Sequence, residues 1–297
     1  MHKNHNQYVL LLLAFFFLII AISLFYIDLK KPQNELVFSM LDVGQGDALF
    51  IQSPTGTQIL VDGGSPGKLM GELRRVIPLF DRSIDLLIIT NPDSDHIGGF
   101  LDVVKRYKVG GVMEPGTVND SSIYKSLEDS ILKKKIPVMY AKKGMKLDIG
   151  GGAFIDILFP DRDVTTWSTN DGSIVAKLTY GGTSILLTGD MTRDTEKIIL
   201  SENSKEFLDV DILKVAHHGS RSSSYPDFID AVSPKYSLIS VGGDNKYGHP
   251  HKDVLDTLAE FNTQVFRTDL LGTITIRSDG LSEFFTCDII KTCEIKK

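Results

Sequence analysis

The sequence predicts an α/β fold, a four-layer αββα sandwich preceded by one N-terminal transmembrane helix. Three observations predict it. Residues 8–27, "YVLLLLAFFFLIIAISLFYI", form an uncharged run of 20 residues, the length that crosses a hydrocarbon core of roughly 30 Å. After it, short apolar runs rich in Val, Ile and Leu alternate with segments of helical apolar spacing. These elements fall into two halves, each reading as a sheet with helices on one side, and two such halves bury their sheets most simply against each other. The expected division is residues 1–33 as anchor and linker and 34–297 as one folded domain.

The apolar run exceeds a signal-peptide core, and no small-x-small cleavage site precedes Asp28-Leu29-Lys30-Lys31. An uncleaved anchor in the cell membrane is therefore expected. Lys3 before the run against Lys30 and Lys31 after it leans towards a cytoplasmic domain by the positive-inside count. A tail this short before a first hydrophobic helix is nevertheless usual for export, and the expected location of the domain is extracytoplasmic. Cys287 and Cys293 would stand about 20 Å apart in one continuous strand, so only a turn between them allows a disulfide. The net charge of −6 argues against a broadly basic nucleic-acid clamp, though not against a substrate held by a metal and a few local donors.

Along the chain, "ELVFSMLDV" reads as a strand, and "DALFIQS" and "QILVDGG" as a hairpin about Pro54-Thr55-Gly56-Thr57. "GKLMGELRRVI" has helical spacing, and "DLLIIT" is an apolar strand buried on both faces. "FLDVVKRY" and "SSIYKSLEDSILKKK" are helices, with "GGVMEPG" a strand between them and "AFIDILFP" a strand closing the first half. In the second half "IVAKLTY" and "SILLTGD" pair across Gly181-Gly182, and a short helix follows. Then come strands "DILKVA" and "YSLISVG", helices from Pro226 and at "HKDVLDTLAEF", and closing strands "TQVFRT" and "TITIRS". Ser222 to Ser224 are expected to cap the helix that starts near Pro226.

Four polar stops recur at the ends of apolar strands. They are Asp62 in "ILVDGG", the loop Asn91 to His96, Asp190 in "ILLTGD", and His217-His218 in "LKVAHHGS". An isolated Asp-x-Asp-His could merely bond its own backbone. Carboxylates and imidazoles converging from four strand ends instead make a metal site. "GQGD" at Gly44 to Asp47 lacks the following helix of a phosphate-binding P-loop, so it reads as a tight inter-strand turn near the site. Trp167 reads as packing its own loop.

These residues carry a resemblance. "LDVGQGDALFI", "VDGG", "NPDSDHIGG", "NDGSIV", "LLTGD", "LKVAHHGS", "YGHP" and "RTDLLGTITI" together resemble the metallo-β-lactamase superfamily, most closely the C-terminal hydrolase domain of ComEC-type DNA-uptake proteins. The eight blocks span nearly all of residues 36–280. The resemblance implies a metal-dependent hydrolase, a phosphodiesterase or nuclease acting on DNA and associated with a DNA-uptake channel. Other readings are hydrolysis of another phosphoester, a lactam or a thioester, or a degenerate binding module.

Carried over residue by residue, Asp95, His96, Asp190 and one of His217 or His218, taken as His217, would hold one divalent ion. Asp190 would bridge to a second ion held by Asp93 and Asn91. Asn91 stands where relatives carry His, and the exchange of nitrogen for oxygen shifts the preference from zinc towards manganese or magnesium. Asp62 either orients the ligands from behind or only begins the Gly63-Gly64 turn. The resemblance makes Asp95, His218 and His249 the catalytic candidates. Gly219, Ser220, Arg221 and His249 are the candidates for holding a phosphate, although a histidine simply bonded in a Gly-His-Pro turn would look the same as His249.

Overall fold

The computed structural model describes residues 2–29, 34–78 and 80–288, with side chains in the first helix described over 7–23. The chain divides into two compact units, Met1–Gln33 and Asn34–Lys297. The first is a single helix, His2–Leu29, whose apolar side chains, among them Leu10, Phe15 and Phe17, are exposed. Among the described residues no helix is long and apolar enough to cross a membrane.

The second unit is built on two large sheets. One has eight strands in the spatial order Glu283–Cys287, Ile274–Ser278, Leu36–Met40, Leu49–Gln52, Gln58–Val61, Leu86–Ile88, Val112–Glu114 and Val138–Tyr140. The other has seven, in the order Gln264–Arg267, Tyr236–Ile239, Ile212–Lys214, Thr183–Leu187, Val175–Tyr180, Ala153–Phe159 and Lys146–Gly150. Alternation along each strand sends one set of side chains inward. Phe38, Met40, Ile51, Val61 and Ile88 of the first sheet meet Ile155, Leu178, Ile185 and Leu238 of the second in one core. Each fully buried side chain of this size contributes roughly 1.5–3 kcal/mol. The opposite faces are covered by helices: Leu69, Leu73, Phe100, Val103 and Leu127 pack on the first sheet, and Ile199, Phe228, Val254 and Leu258 on the second. The layers run helix, sheet, sheet, helix, as the sequence predicts.

The two halves of the sequence do not map one to one onto the two sheets. "AFIDILFP", expected to close the first half, is Ala153–Phe159 in the second sheet, paired antiparallel with Val175–Tyr180. "TITIRS" crosses back to flank Leu36–Met40 in the first. Both crossings follow from pairing: each strand joins the sheet where an antiparallel neighbour leaves its backbone donors and acceptors open. The serine run is a second correction. The helix Pro226–Val232 has Tyr225 at its N-cap and no side-chain cap bond, because the serines are committed elsewhere, as described below.

Parallel pairing at the middle of each sheet positions the site. Gln58–Val61 and Leu86–Ile88 run parallel, with Val61 opposite Ile88. Thr183–Leu187 and Ile212–Lys214 do the same, with Leu186 opposite Leu213. Their carboxyl ends are the four polar stops. Cys287 ends the last described strand and is disulfide-bonded; Cys293, the other cysteine of the two in the chain, lies outside the described residues.

Candidate metal centre

Asp62 begins the construction. It follows its strand in the left-handed region, φ 58°, which turns its carboxylate back under the neighbouring strand end. There Oδ1 accepts the Thr90 N–H at 2.8 Å, and Oδ2 meets His96 Nδ1 at 2.8 Å. Held from behind, His96 aims Nε2 at Asp190, 3.1 Å from Oδ2. His96 rides on the short helix Ser94–Ile97. That helix can approach because Gly46 has no side chain: a Cβ there would sit 2.0 Å from the Asp95 carbonyl oxygen.

The histidine pair arrives from the second sheet. His217 and His218 both adopt left-handed backbone, φ 50° and 55°, an arrangement that costs free energy in consecutive non-glycine residues and points to functional placement. His218 Nδ1 lies 2.9 Å from the Ser240 carbonyl oxygen, to which it donates. Its Nε2 consequently faces inward, 3.7 Å from Asp190 Oδ2 and 3.6 Å from Asp95 Oδ2. His217 is nearer the rim. Its Nε2 is also 3.7 Å from Asp190 Oδ2, with Nδ1 3.1 Å from Ser222 Oγ.

The inner donors fit a divalent cation. Asp95, His96 and His218 each offer a ligand atom, all within 4.8 Å of one another, and Asp47, Asp190 and His218 form an overlapping group. His96 Nε2, His218 Nε2 and Asp190 Oδ1 are buried without a hydrogen-bond partner. Such atoms cost roughly 1–3 kcal/mol each when nothing meets them. Two imidazoles with two carboxylates are a donor set for a divalent metal ion.

Electrostatics shows the same poise in the ion-free protein. Burial alone would raise the Asp190 pKa, but His96 and His218 outweigh it and hold the carboxyl well below its usual range. Burial likewise opposes charge on His96, yet Asp190 and Asp62 lift it well above 6.5. His218 is lifted against burial to about 9 by Asp190 and Asp47. His249, half-buried among other imidazoles, is pushed down to about 4.

Other sequence-predicted residues stand apart from the donor group. The Asn91 amide is committed to the loop: Nδ2 donates to Asn170 Oδ1 at 2.7 Å, and Oδ1 accepts the Asp93 N–H at 2.9 Å. Asp93 receives Asn119 Nδ2 at 2.7 Å on one oxygen and Thr169 Oγ1 at 3.0 Å on the other. Asp93 enters none of the groups of three or more His, Cys, Asp or Glu donors found among the described residues. A cavity of about 200 Å³ opens over the centre, lined by Asp93, Asp95, Asp190, His217, His218 and His249 together with Gln45, Asn170 and Tyr247. Gly219, Ser220 and Arg221 do not line it. The Arg221 backbone N–H donates to His251 Nδ1, and Ser220 Oγ bonds Ser222 Oγ. Trp167 packs against Phe159 with ring centroids 5.8 Å apart, as a loop anchor.

Sequence reasoning missed the layer beneath. Lys214 and Asp47 form a fully buried ion pair; the signal was a lysine inside the apolar strand "DILKVA". Glu196 accepts the N–H groups of Ser224 and Tyr225, which pins the loop after the histidines, while the Ser222 hydroxyl is held by His217 and Ser220 and the Ser223 hydroxyl by the Ala216 and Ser220 carbonyls. Burial raises the Glu196 carboxyl to about 7.

Residues 41–243 match the family model of the Metallo-beta-lactamase superfamily. ComE operon protein 3 of Bacillus subtilis is 33% identical over 262 residues, 82% of this chain and 33% of that protein. Recombination protein 2 of Haemophilus influenzae is 30% identical, over 85% of this chain and 30% of its own length. Competence protein ComA of Neisseria gonorrhoeae is 26% identical, over 82% of this chain and 32% of its length. The chain thus spans about a third of the curated relatives it matches. Among solved structures, CmlA, a diiron β-hydroxylase from Streptomyces venezuelae, superposes with a TM-score of 0.54 at 18% identity, covering 82% of this chain and 54% of that one. Tm1679, a metal-dependent hydrolase of the β-lactamase superfamily, does so with a TM-score of 0.50 at 12% identity, covering 78% and 95%; at these identities the likeness is one of fold. The chain belongs to the metallo-beta-lactamase superfamily, where it is related to competence proteins of the ComEC type.

Proposed function

We propose that this chain is a metal-dependent phosphodiesterase that cleaves DNA outside the cytoplasm, tethered to the membrane by its N-terminal helix. The observation that carries the reading is the convergence of buried His96, His218 and Asp190, with Asp190 Oδ2 3.1 Å from His96 Nε2 and 3.7 Å from His218 Nε2, beneath a solvent-reaching cavity. We assign the ion to Asp95, His96, Asp190 and His218, with His217 at the rim. A divalent ion bound there supplies a water nucleophile at neutral pH and polarises the phosphoryl oxygen.

The surrounding residues do the rest. Asp62 holds the His96 ring with Nε2 inward, so that ligand pays no reorientation on binding. The Ser240 carbonyl does the same for His218. His249 and Tyr247, stacked with centroids 5.7 Å apart, wall the cavity where a scissile phosphate enters. A pKa near 4 leaves His249 neutral at pH 7, suited to a hydrogen-bond role. The Asn91 amide and both Asp93 oxygens carry hydrogen bonds within their own loops, and we assign one ion to the inner donor group.

DNA as the substrate is supported by the relatives' names, which include a competence protein and a recombination protein. Export is supported by the disulfide at Cys287, because such bonds persist in oxidising compartments. The tether rests on the uncharged run 8–27. The test is cleavage of single-stranded DNA by the full chain with Mn²⁺. Asp95→Ala should lower the rate by more than roughly 100-fold; cleavage that survives both EDTA and this substitution refutes the reading.

A further inference from the structure

Beside the metal centre lies a second, larger cavity of about 510 Å³, whose walls include Pro115, Val118, Tyr140, Lys142, Arg162 and Val164. Val118 and Tyr140 are 64% and 65% exposed, so both side chains are open to solvent. The acids of the cavity are satisfied locally. Asp161 is forked by Arg162, and Asp163 accepts the Thr165 N–H and hydroxyl at 2.9 and 2.8 Å. Lys142 is exposed, and among the described residues no carboxylate pairs with it.

The two loops that wall this cavity run on to residues that bond Asp93, Asn91 and Asp190 around the metal cavity. The loop that begins at Pro115 and Gly116 continues to Asn119, whose Nδ2 donates to Asp93. The loop that begins at Asp161 continues to Thr169, which donates to the other Asp93 oxygen. Further on, Asn170 accepts from Asn91 and Ser173 Oγ accepts the Asp190 N–H at 3.3 Å. The two cavities thus share flanking loops: Val118 of the one is followed directly by Asn119, which bonds a residue lining the other. To a polymer held at the metal cavity the groove offers an aromatic face, apolar walls and one unneutralised ammonium.

We propose that this groove seats an unpaired base of a single-stranded nucleic acid, with Tyr140 stacking on the base and Lys142 meeting a neighbouring phosphate. The proposal rests on the phosphodiesterase reading of the adjoining site and names its substrate as unpaired strand. A base within a duplex has no free face to offer Tyr140, whereas an unstacked base does. A volume of this size lies in the range of pockets that enclose small organic ligands.

The test is fluorescence anisotropy with the full chain in detergent micelles and EDTA, using labelled oligothymidylate of about 12 nucleotides and a hairpin duplex as probes. Tyr140→Ala should weaken single-strand binding by about 5- to 100-fold, and Tyr140→Phe, which keeps the stacking face, should restore it. Lys142→Glu should weaken it and flatten its salt dependence. Equal single-strand affinity for wild type and Tyr140→Ala, with melting temperatures matched, overturns the proposal, as does a preference for duplex. Metal-dependent hydrolysis of bis(4-nitrophenyl) phosphate by the wild type judges the metal site separately. Its absence would defeat the phosphodiesterase reading, while the anisotropy result still decides the groove.

Discussion

Lys214 Nζ and Asp47 Oδ2 form an ion pair closed from solvent at both ends, with 0% and 1% of their side chains exposed. The ammonium also donates to the Gly189 carbonyl at 2.9 Å and stands 3.9 Å from Asp190 Oδ1. Asp47 Oδ1 lies 3.4 Å from His218 Nδ1. The pair thus underlies two proposed ligands, one on each side. Burial raises the Asp47 pKa, but Lys214 and His218 prevail and keep it ionised. Lys214→Met strands a buried carboxylate and should destabilise the fold by about 3–5 kcal/mol, a fall in Tm on the order of 10 °C. The double variant Lys214→Met with Asp47→Leu should recover part of that loss. Thermal melting followed by circular dichroism checks both.

Asp62 acts on the centre only through His96. Asp62→Asn keeps the shape and still accepts the Thr90 N–H, while removing the charge that fixes the His96 ring. Affinity for Mn²⁺ or Zn²⁺ should fall by about 10- to 100-fold in isothermal titration, and the melting temperature of the ion-free protein should fall as well, because the buried His96 imidazolium loses one of its counter-charges. Unchanged affinity would leave Asp62 as a turn residue.

Metal affinity should depend steeply on pH. In the ion-free protein His96 and His218 are both raised above the usual imidazole value, His218 to about 9. A ligating imidazole must be neutral, so binding near pH 7 expels protons. The apparent affinity should rise as pH increases from 6 towards 9. Titrations in buffers of different ionisation enthalpy should report net proton release on binding at pH 7.

Glu114 supplies an opposite dependence away from the centre. Burial first, and then Glu128, raise its pKa to about 8. The folded state therefore prefers the protonated acid. Its contribution to stability is complete below the unfolded value near 4.5 and is lost as pH rises through about 8. Replacing Glu114 with Gln should remove that loss, raising stability at pH 8.5 relative to wild type by on the order of 2 kcal/mol, with little difference at pH 4.5. Melting curves at the two values measure it.

Much of the architecture was legible because hydrophobic period and turn chemistry are local. "DLLIIT" reads as a doubly buried strand and is one, flanked by parallel neighbours on both sides. The destination of strands was not legible: nothing within "AFIDILFP" or "TITIRS" says which sheet offers an open edge. At the site, the polar stops announced themselves because carboxylates and imidazoles directly after buried strands demand an explanation. Lys214 was overlooked because its partner Asp47 lies 167 positions away, and a pairing at that separation leaves no local pattern. The serines misled for a related reason. Ser222 to Ser224 have the composition of a helix cap, but the Ser222 hydroxyl meets His217 and the Ser223 hydroxyl the Ala216 carbonyl, both from another element.

The account turns on one cation held between the two sheets by Asp95, His96, Asp190 and His218. Its most direct test is elemental analysis of the full chain after Mn²⁺ or Zn²⁺ loading and gel filtration, wild type beside Asp190→Ala. Wild type should retain about one ion per chain and the variant almost none. A wild type that elutes metal-free, or a variant that retains as much as wild type, would contradict it.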